Sequence, residues 1–219
     1  MIDLHTHTIF SDGELLPAEL IQRCQAMGHR AVALTDHVDH SNLDLVVPRL
    51  RRVVDQLNGP GRVRALAGCE LTHVPPALIA PLAARARELG AQIVVVHGET
   101  IVEPVPSGTN LAACQAGVDI LAHPGLLTEE EARLAAANNV CLEISARKGH
   151  CLGNGRVAAL GLRFGARLLV DTDSHAPGDL INRAQALRVA LGAGLAPDQA
   201  EQVFENARQV VERLSGSPL

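Results

Sequence analysis

Short, almost uniformly apolar runs alternate along the chain with longer stretches whose apolar positions recur every three to four residues. The first period is that of strands covered on both faces, the second that of amphipathic helices, and their alternation predicts repeated βα units around a parallel sheet. Strands are expected at about 1–5, 31–36, 63–70, 92–97, 118–123, 140–145 and 167–173. Ile93-Val94-Val95-Val96 and Arg167-Leu168-Leu169-Val170 are the clearest runs. Helices are expected over Pro17–Met27, Leu43–Leu57, Pro76–Leu89, Asn110–Ala116, Thr128–Asn138, Gly155–Gly165, Asn182–Leu191 and Pro197–Leu214. Pro17 suits a first turn, Gly28, Gly90 and Gly117 suit helix stops, and Thr128 followed by Glu129–Glu131 suits a helix N-terminus. Seven βα units in 219 residues fit one domain, a closed or nearly closed barrel smaller than the eightfold type. An open doubly wound sheet has the same alternation and stays the alternative. The last helix, with Val203, Phe204, Ala207, Val210, Val211 and Leu214 on one side, is expected to pack outside the barrel.

Composition narrows the function classes. Aromatic residues make up 1% of the chain, so the core must come from Val, Leu, Ile and Ala, and no base-stacking surface is in prospect. The formal charge is -5 and no Lys/Arg run occurs, which argues against extended nucleic acid as a partner. Five Cys without a CxxC pair suit reduced thiols. With no basic and apolar leader and no apolar run of membrane-spanning length, the expectation is a cytoplasmic protein without membrane contact.

The chemistry is at the strand ends. Strand one ends in His5-Thr6-His7, and residues two apart on an extended chain point the same way. The following ends carry Asp36-His37, Cys69-Glu70, His97, His123-Pro124-Gly125, Glu143 and Asp173-Ser174-His175. In a parallel barrel these ends converge on one mouth. His5, His7, His37, Glu70, His97, His123, Asp173 and His175 should therefore meet, and Asp12 can join them. Nine imidazole and carboxylate groups exceed the three or four ligands of a single zinc and point to two or three divalent ions, zinc, manganese or iron. Glu70 and Asp173 are the expected bridges, with two oxygens each to share. Asp36 is expected to orient a His, and Glu143 reads as a ligand, an acceptor behind a ligand, or an ion-pair partner. His29 is expected in solvent, while His40, His73 and His150 fall in mouth loops as substrate contacts or surface residues. After strand six, Arg147 can grip phosphate in a fork and Lys148 can add a point charge. His175, His40 or a water on an ion is the candidate donor to the leaving group.

In their order, His5-Thr6-His7, Ser11-Asp12-Gly13, Thr35-Asp36-His37, Glu70, His97, His123-Pro124-Gly125 and Asp173-Ser174-His175 resemble the PHP (polymerase and histidinol phosphatase) family over almost the whole chain. The resemblance implies a distorted (β/α)7 TIM-like barrel and a metal-dependent phosphoesterase. It also implies a ligand set. His5, His7, Glu70 and Asp173 would hold one ion; Glu70, His97 and His123 a second; His37, His175 and Asp12 a third. Some relatives have His where this chain has Asp12.

The expected activity is hydrolysis of a small phosphomonoester, histidinol phosphate being the family's suggestion. Glu70, Asp173 and His175 stand at the reacting centre; Arg147, Lys148 and His40 at the substrate. A phosphodiesterase acting on a nucleotide or oligonucleotide end and a non-catalytic metal-binding module are the alternatives. An amidohydrolase-type barrel shares the early His-x-His, but the pairing of Asp173 with His175 suits the PHP pattern better.

Overall fold

Seven parallel strand positions wrap around one axis in the computed structural model, which describes residues 1–219. In chain order the elements are β1 (Ile2–Asp3), α1 (Pro17–Ala26), β2 (Ala31–Leu34), β3 (His37–Val38), α2 (Leu43–Leu57), β4 (Arg64–Leu71), α3 (Pro76–Glu88) and β5 (Ile93–His97). Then follow α4 (Thr109–Ala116), β6 (Ile120–Ala122), α5 (Glu129–Ala137), β7 (Cys141–Ser145), α6 (Asn154–Phe164), β8 (Leu168–Asp171), α7 (Arg183–Gly192) and α8 (Pro197–Ser215). The sheet runs β1-β2-β4-β5-β6-β7-β8, all parallel, with β3 continuing the path of β2 along β4. A bridge between Thr6 and Ser174, reinforced by His7 N donating to Ser174 O at 2.9 Å, brings the last strand back to the first. The result is a nearly closed (β/α) barrel of TIM-like form.

Closure is incomplete because side chains take the place of ladder bonds at this seam. Leu4 N donates to Asp171 Oδ1 at 2.7 Å, and Thr172 N and Oγ1 donate to the Asp3 carboxylate at 3.1 and 2.6 Å. Both carboxyl groups are fully buried. A similar substitution separates β2 from β3: Thr6 N donates to Thr35 Oγ1, and Asp36 accepts from Thr8 N, Thr8 Oγ1 and Ser11 Oγ. β1 is therefore shorter than the apolar run suggests, and Asp36 holds the loop after it instead of orienting a His.

The barrel interior has two halves. Ile2, Leu4, Ala33, Leu66, Ile93, Val95, Ile120 and Leu169 fill the half at the strand starts. Ala207, Val210 and Val211 of α8 belong to the same cluster. Asn206 Nδ2 donates to Leu168 O and Arg213 pairs with Asp119, both at strand starts. So α8 lies outside the barrel across its bottom, where its apolar face meets interior side chains. Further along the inward-facing alternation, Leu66 gives way to Glu70, Val95 to His97, Cys141 to Glu143 and Leu169 to Asp171 and Asp173. An apolar floor thus carries a polar upper half. No helix is long and apolar enough to cross a membrane.

Candidate metal centre

The polar half opens to solvent through a cavity of about 250 Å³ lined by Asp12, His37, Thr72, His73, His97, Glu103, Arg147, His150, Asp173 and His175, none of them apolar. Seven parallel strands deliver these groups to one end. His5 and His7 flank the Thr6 bridge and are completely buried, with their Nε2 atoms 3.1 Å apart. His37 stands opposite Glu70 in the β3–β4 register, and His97 is the last residue of β5. His123 and Asp173 follow their strands with φ of 28° and 50°. Such strained conformations in non-glycine residues persist where the surroundings fix them.

The surroundings of His123 show how. Gly98 N donates to Ala122 O, and Asn110 bridges the two loops through Glu99 N and Pro124 O. Gly125, at φ 59°, lies so close to this junction that a Cβ there would be 2.0 Å from Glu99 O. The loops after β5 and β6 are locked together, and His97 and His123 with them.

Three groups of donors emerge. His5 Nε2 is 3.2 Å from Glu70 Oε1, and His7 Nε2 is 3.1 Å from Asp173 Oδ1. His123 Nε2 is 3.6 Å from Glu70 Oε1 and 3.7 Å from Asp173 Oδ2, and His97 offers a donor within 4.8 Å of those of Glu70 and His123. Asp12 Oδ1 is 3.2 Å from His175 Nε2 and 3.5 Å from His37 Nε2. Donors about 2.0–2.1 Å from one ion stand about 3.3–3.4 Å apart in tetrahedral geometry, close to these spacings, which therefore suit divalent ions. Glu70 Oε1 and Asp173 Oδ1 are buried without a hydrogen-bond partner and face the Nε2 atoms of His5, His7 and His123. Buried polar atoms are normally paired, and unpaired carboxylate oxygens among imidazoles suit a cation site. The structure brings all nine sequence-derived ligand candidates together: His5, His7, Asp12, His37, Glu70, His97, His123, Asp173 and His175.

Titration follows from the same crowding. Burial and the neighbouring imidazoles push His7 and His123 well below the ordinary histidine value, leaving neutral donors. Burial also works against charge on His5, but Glu70, Glu143 and Asp173 outweigh it and raise His5 well above that value. Burial, reinforced by Glu70 and Glu143, lifts Asp173 to about 7 even though His5 pulls it down. Against burial, His5 and His37 hold Glu70 well below the usual carboxylate range. Likewise Asp12, despite partial burial, is held at about 2 by its hydrogen bond to His175 and the charge of His37.

Supporting groups complete the centre. Glu143 Oε2 accepts from His5 Nδ1 at 2.6 Å; of the three roles open to it, this geometry selects the acceptor behind a ligand. Arg147 Nη1 donates to Asp173 O at 2.9 Å and lies 2.7 Å from His175 Nδ1, so its guanidinium borders the mouth. Lys148 and His40 are exposed and do not line the cavity. Both lie on turns whose side chains point into solvent, which sequence spacing does not reveal. His29 is buried, its Nε2 donating to Ile181 O at 2.9 Å, instead of solvated. Burial also claims His150, whereas His73 is partly exposed; both reach the mouth. Cys24, Cys69, Cys114 and Cys141 are buried free thiols, and burial pushes Cys69 up to about 12. Glu103 went unrecognised in the sequence; an acidic residue in the loop after a barrel strand was the available signal.

Comparison with known proteins agrees with this architecture. The chain is 47% identical over 204 residues to an uncharacterized protein of Methanocaldococcus jannaschii, spanning 92% of this chain and 94% of that one. It is 36% identical over 107 residues to the 3',5'-nucleoside bisphosphate phosphatase of Chromobacterium violaceum, spanning 42% of this chain and 38% of that one. Its fold superposes on histidinol phosphate phosphatase from Lactococcus lactis, solved with zinc, L-histidinol and phosphate, with a TM-score of 0.54 at 14% identity over 95% of this chain and 93% of that one. The PHP domain model matches residues 3–139, the stretch that carries every donor from His5 to His123. With this match joined to the barrel and its ring of strand-end histidines and carboxylates, the chain belongs to the PHP domain family.

Proposed function

We propose that the protein is a metal-dependent phosphoesterase that hydrolyses a small phosphomonoester at the mouth of the barrel. The observation that carries this reading is the set of nine donors at ion-binding spacing, five of them lining one cavity bordered by an arginine and the others buried against these. His5, His7, Glu70 and Asp173 would hold one ion, Glu70, His97 and His123 a second, and Asp12, His37 and His175 a third. Divalent ions such as zinc, manganese or iron supply hydroxide near neutral pH and neutralise charge on a phosphoryl group. The chain's own residues do the rest. Glu143 fixes the His5 ring through Nδ1, leaving Nε2 directed into the centre. Arg147, tied to the backbone of Asp173, presents its remaining donors to a phosphate oxygen. Asp179 accepts from His175 N and Ala176 N, which fixes the turn bearing His175. Asp173 and His175 flank the position of the reacting phosphate.

As ion ligands the nine groups are neutral imidazoles and carboxylates, and two or three divalent ions make the centre attractive to phosphate. The cavity's size suits a phosphate with a small alcohol and not a duplex or an extended strand. Histidinol phosphate is a reasonable first substrate because a structural neighbour was solved with its hydrolysis products, and a nucleotide is the second reading because of the bisphosphate phosphatase relative. The test is phosphate release from each compound by the chelated and the reloaded protein. Ion-dependent release from histidinol phosphate supports the reading; release from neither by fully loaded protein refutes it.

A further inference from the structure

His73, Glu103 and His150 enter the mouth from the loops after β4, β5 and β7 respectively, and the nine-donor set does not use them. Glu103 Oε2 is 3.1 Å from the Nε2 of His97 and 3.4 Å from the Nε2 of His73. Those separations match the donor spacings inside the centre, where His5–Glu70 and His7–Asp173 stand at 3.2 and 3.1 Å. His73, His97 and Glu103 offer donor atoms within 4.8 Å of one another.

Two further features show that this arrangement is built. His73 is held at φ 53°, a conformation costly for a residue with a Cβ, and it aims the ring at Glu103. His150 is buried; Thr100 Oγ1 at 2.9 Å fixes its Nδ1 side, and its Nε2 stands 3.3 Å from the other oxygen of Glu103. This is the relation in which a ring behind a carboxylate ligand orients it. Imidazole with carboxylate is a donor set for a divalent metal.

We infer that His73, His97 and Glu103 form an outer ion position at the rim, separate from the three inner groups and sharing only His97 with the group of Glu70, His97 and His123. One nitrogen of His97 serves one ion at a time, so filling the inner position empties the outer one. The outer position is then a station through which an ion enters, passing inward as His97 exchanges Glu103 for Glu70. The inference rests on the metal-centre reading above.

Cobalt(II) tests it. The chain is stripped with a chelator, dialysed against excess cobalt, and its ions are counted by mass spectrometry. His123→Ala removes a donor that only the inner groups use, so the ion it displaces is free to occupy the rim. H123A is expected to hold one cobalt more than H123A/E103Q, and H123A/H73N is expected to match the double variant with Gln. Equal counts in H123A and both double variants overturn the inference. If circular dichroism shows H123A unfolded, the comparison passes to E103Q in the otherwise intact chain. Its cobalt uptake after rapid mixing is expected to be about tenfold slower than wild type, and an unchanged rate overturns the inference. Wild type holding fewer than two ions refutes the metal-centre reading itself, and the outer position with it.

Discussion

The Glu143–His5 contact yields a sharp prediction about what fixes an ion ligand. Both side chains are completely buried and 2.6 Å separates Oε2 from Nδ1. In the ion-bound chain, with Nδ1–H donating to Glu143, the lone pair of His5 would be on Nε2, the atom that faces Glu70 Oε1 and His7 Nε2. Glu143→Ala removes the acceptor, so the ring either keeps a buried N–H unpaired, at a cost of about 1–3 kcal/mol, or takes the other tautomer and turns N–H toward the ion. Loss of such a partner weakens ion binding about 10–100-fold, or about 1.4–2.7 kcal/mol. An opposing effect must be weighed. Glu143 is one of several buried carboxyl groups, and its charge raises both Asp171 and Asp173. Removing it relieves that repulsion in the ion-free chain. Glu143→Gln separates the two effects, since its carbonyl oxygen still accepts from Nδ1 but carries no charge. Zinc affinity measured by chelator competition should fall about 10–100-fold in the Ala variant and less than about tenfold in the Gln variant, for one ion only. Wild-type affinity in the Ala variant, or an equal loss in both, would refute the reasoning.

Three further expectations follow from other parts of the structure. Arg147→Ala should raise KM for a phosphate monoester about tenfold, a charge-assisted contact reduced by partial exposure, with the ion count unchanged; an unaltered KM would return this arginine to a structural role. Gly125→Ala should cost about 3 kcal/mol and lower Tm by about 6–12 °C, because a Cβ at φ 59° meets the backbone oxygen of Glu99; a Tm within 2 °C or so of wild type would contradict the close approach. In the ion-free chain, burial followed by the charges of Asp3 and Glu143 raises Asp171 well above the usual carboxylate range. The folded state then keeps a proton that the unfolded state releases above about pH 4, so this group's contribution to stability falls as pH rises toward its folded value. Asp171→Asn retains an acceptor for Leu4 N and cannot ionise, so the decline of Tm between pH 5 and pH 8 or so should be shallower than in wild type; parallel curves would sink the idea.

Much of this architecture is legible in the residues because each element obeys a local rule. Buried strands such as Ile93–His97 are continuous apolar runs, and Thr128 caps α5 as its position suggests, with Glu131 completing a reciprocal cap. The ligand candidates are legible because the strand ends of a parallel barrel share one mouth, so a one-dimensional list of endings becomes a three-dimensional cluster. The misreadings have physical causes. Asp3, Thr35, Asp36 and Asp171 replace backbone ladder bonds with side-chain bonds, and no periodicity records that exchange. Which outer surface α8 covers was not legible either: its docking under the barrel depends on the interior being apolar at its lower end, a property of seven strands together. Glu103 and His150 belong to loops whose paths are set by contacts across the mouth, and His40 and Lys148 show the converse, mouth-loop residues that turn to solvent. Glu143 was visible as a strand-end carboxylate, but only its 2.6 Å approach to His5 distinguishes an acceptor from a ligand.

The measurement that bears most directly on the central claim is a paired assay of the protein stripped by chelator and reloaded with zinc or manganese, using p-nitrophenyl phosphate and bis(p-nitrophenyl) phosphate. The account predicts that the stripped protein is inactive, that reloading restores hydrolysis, and that the monoester is preferred. Turnover that persists after complete removal of the ions, or preference for the diester in the reloaded protein, would contradict it.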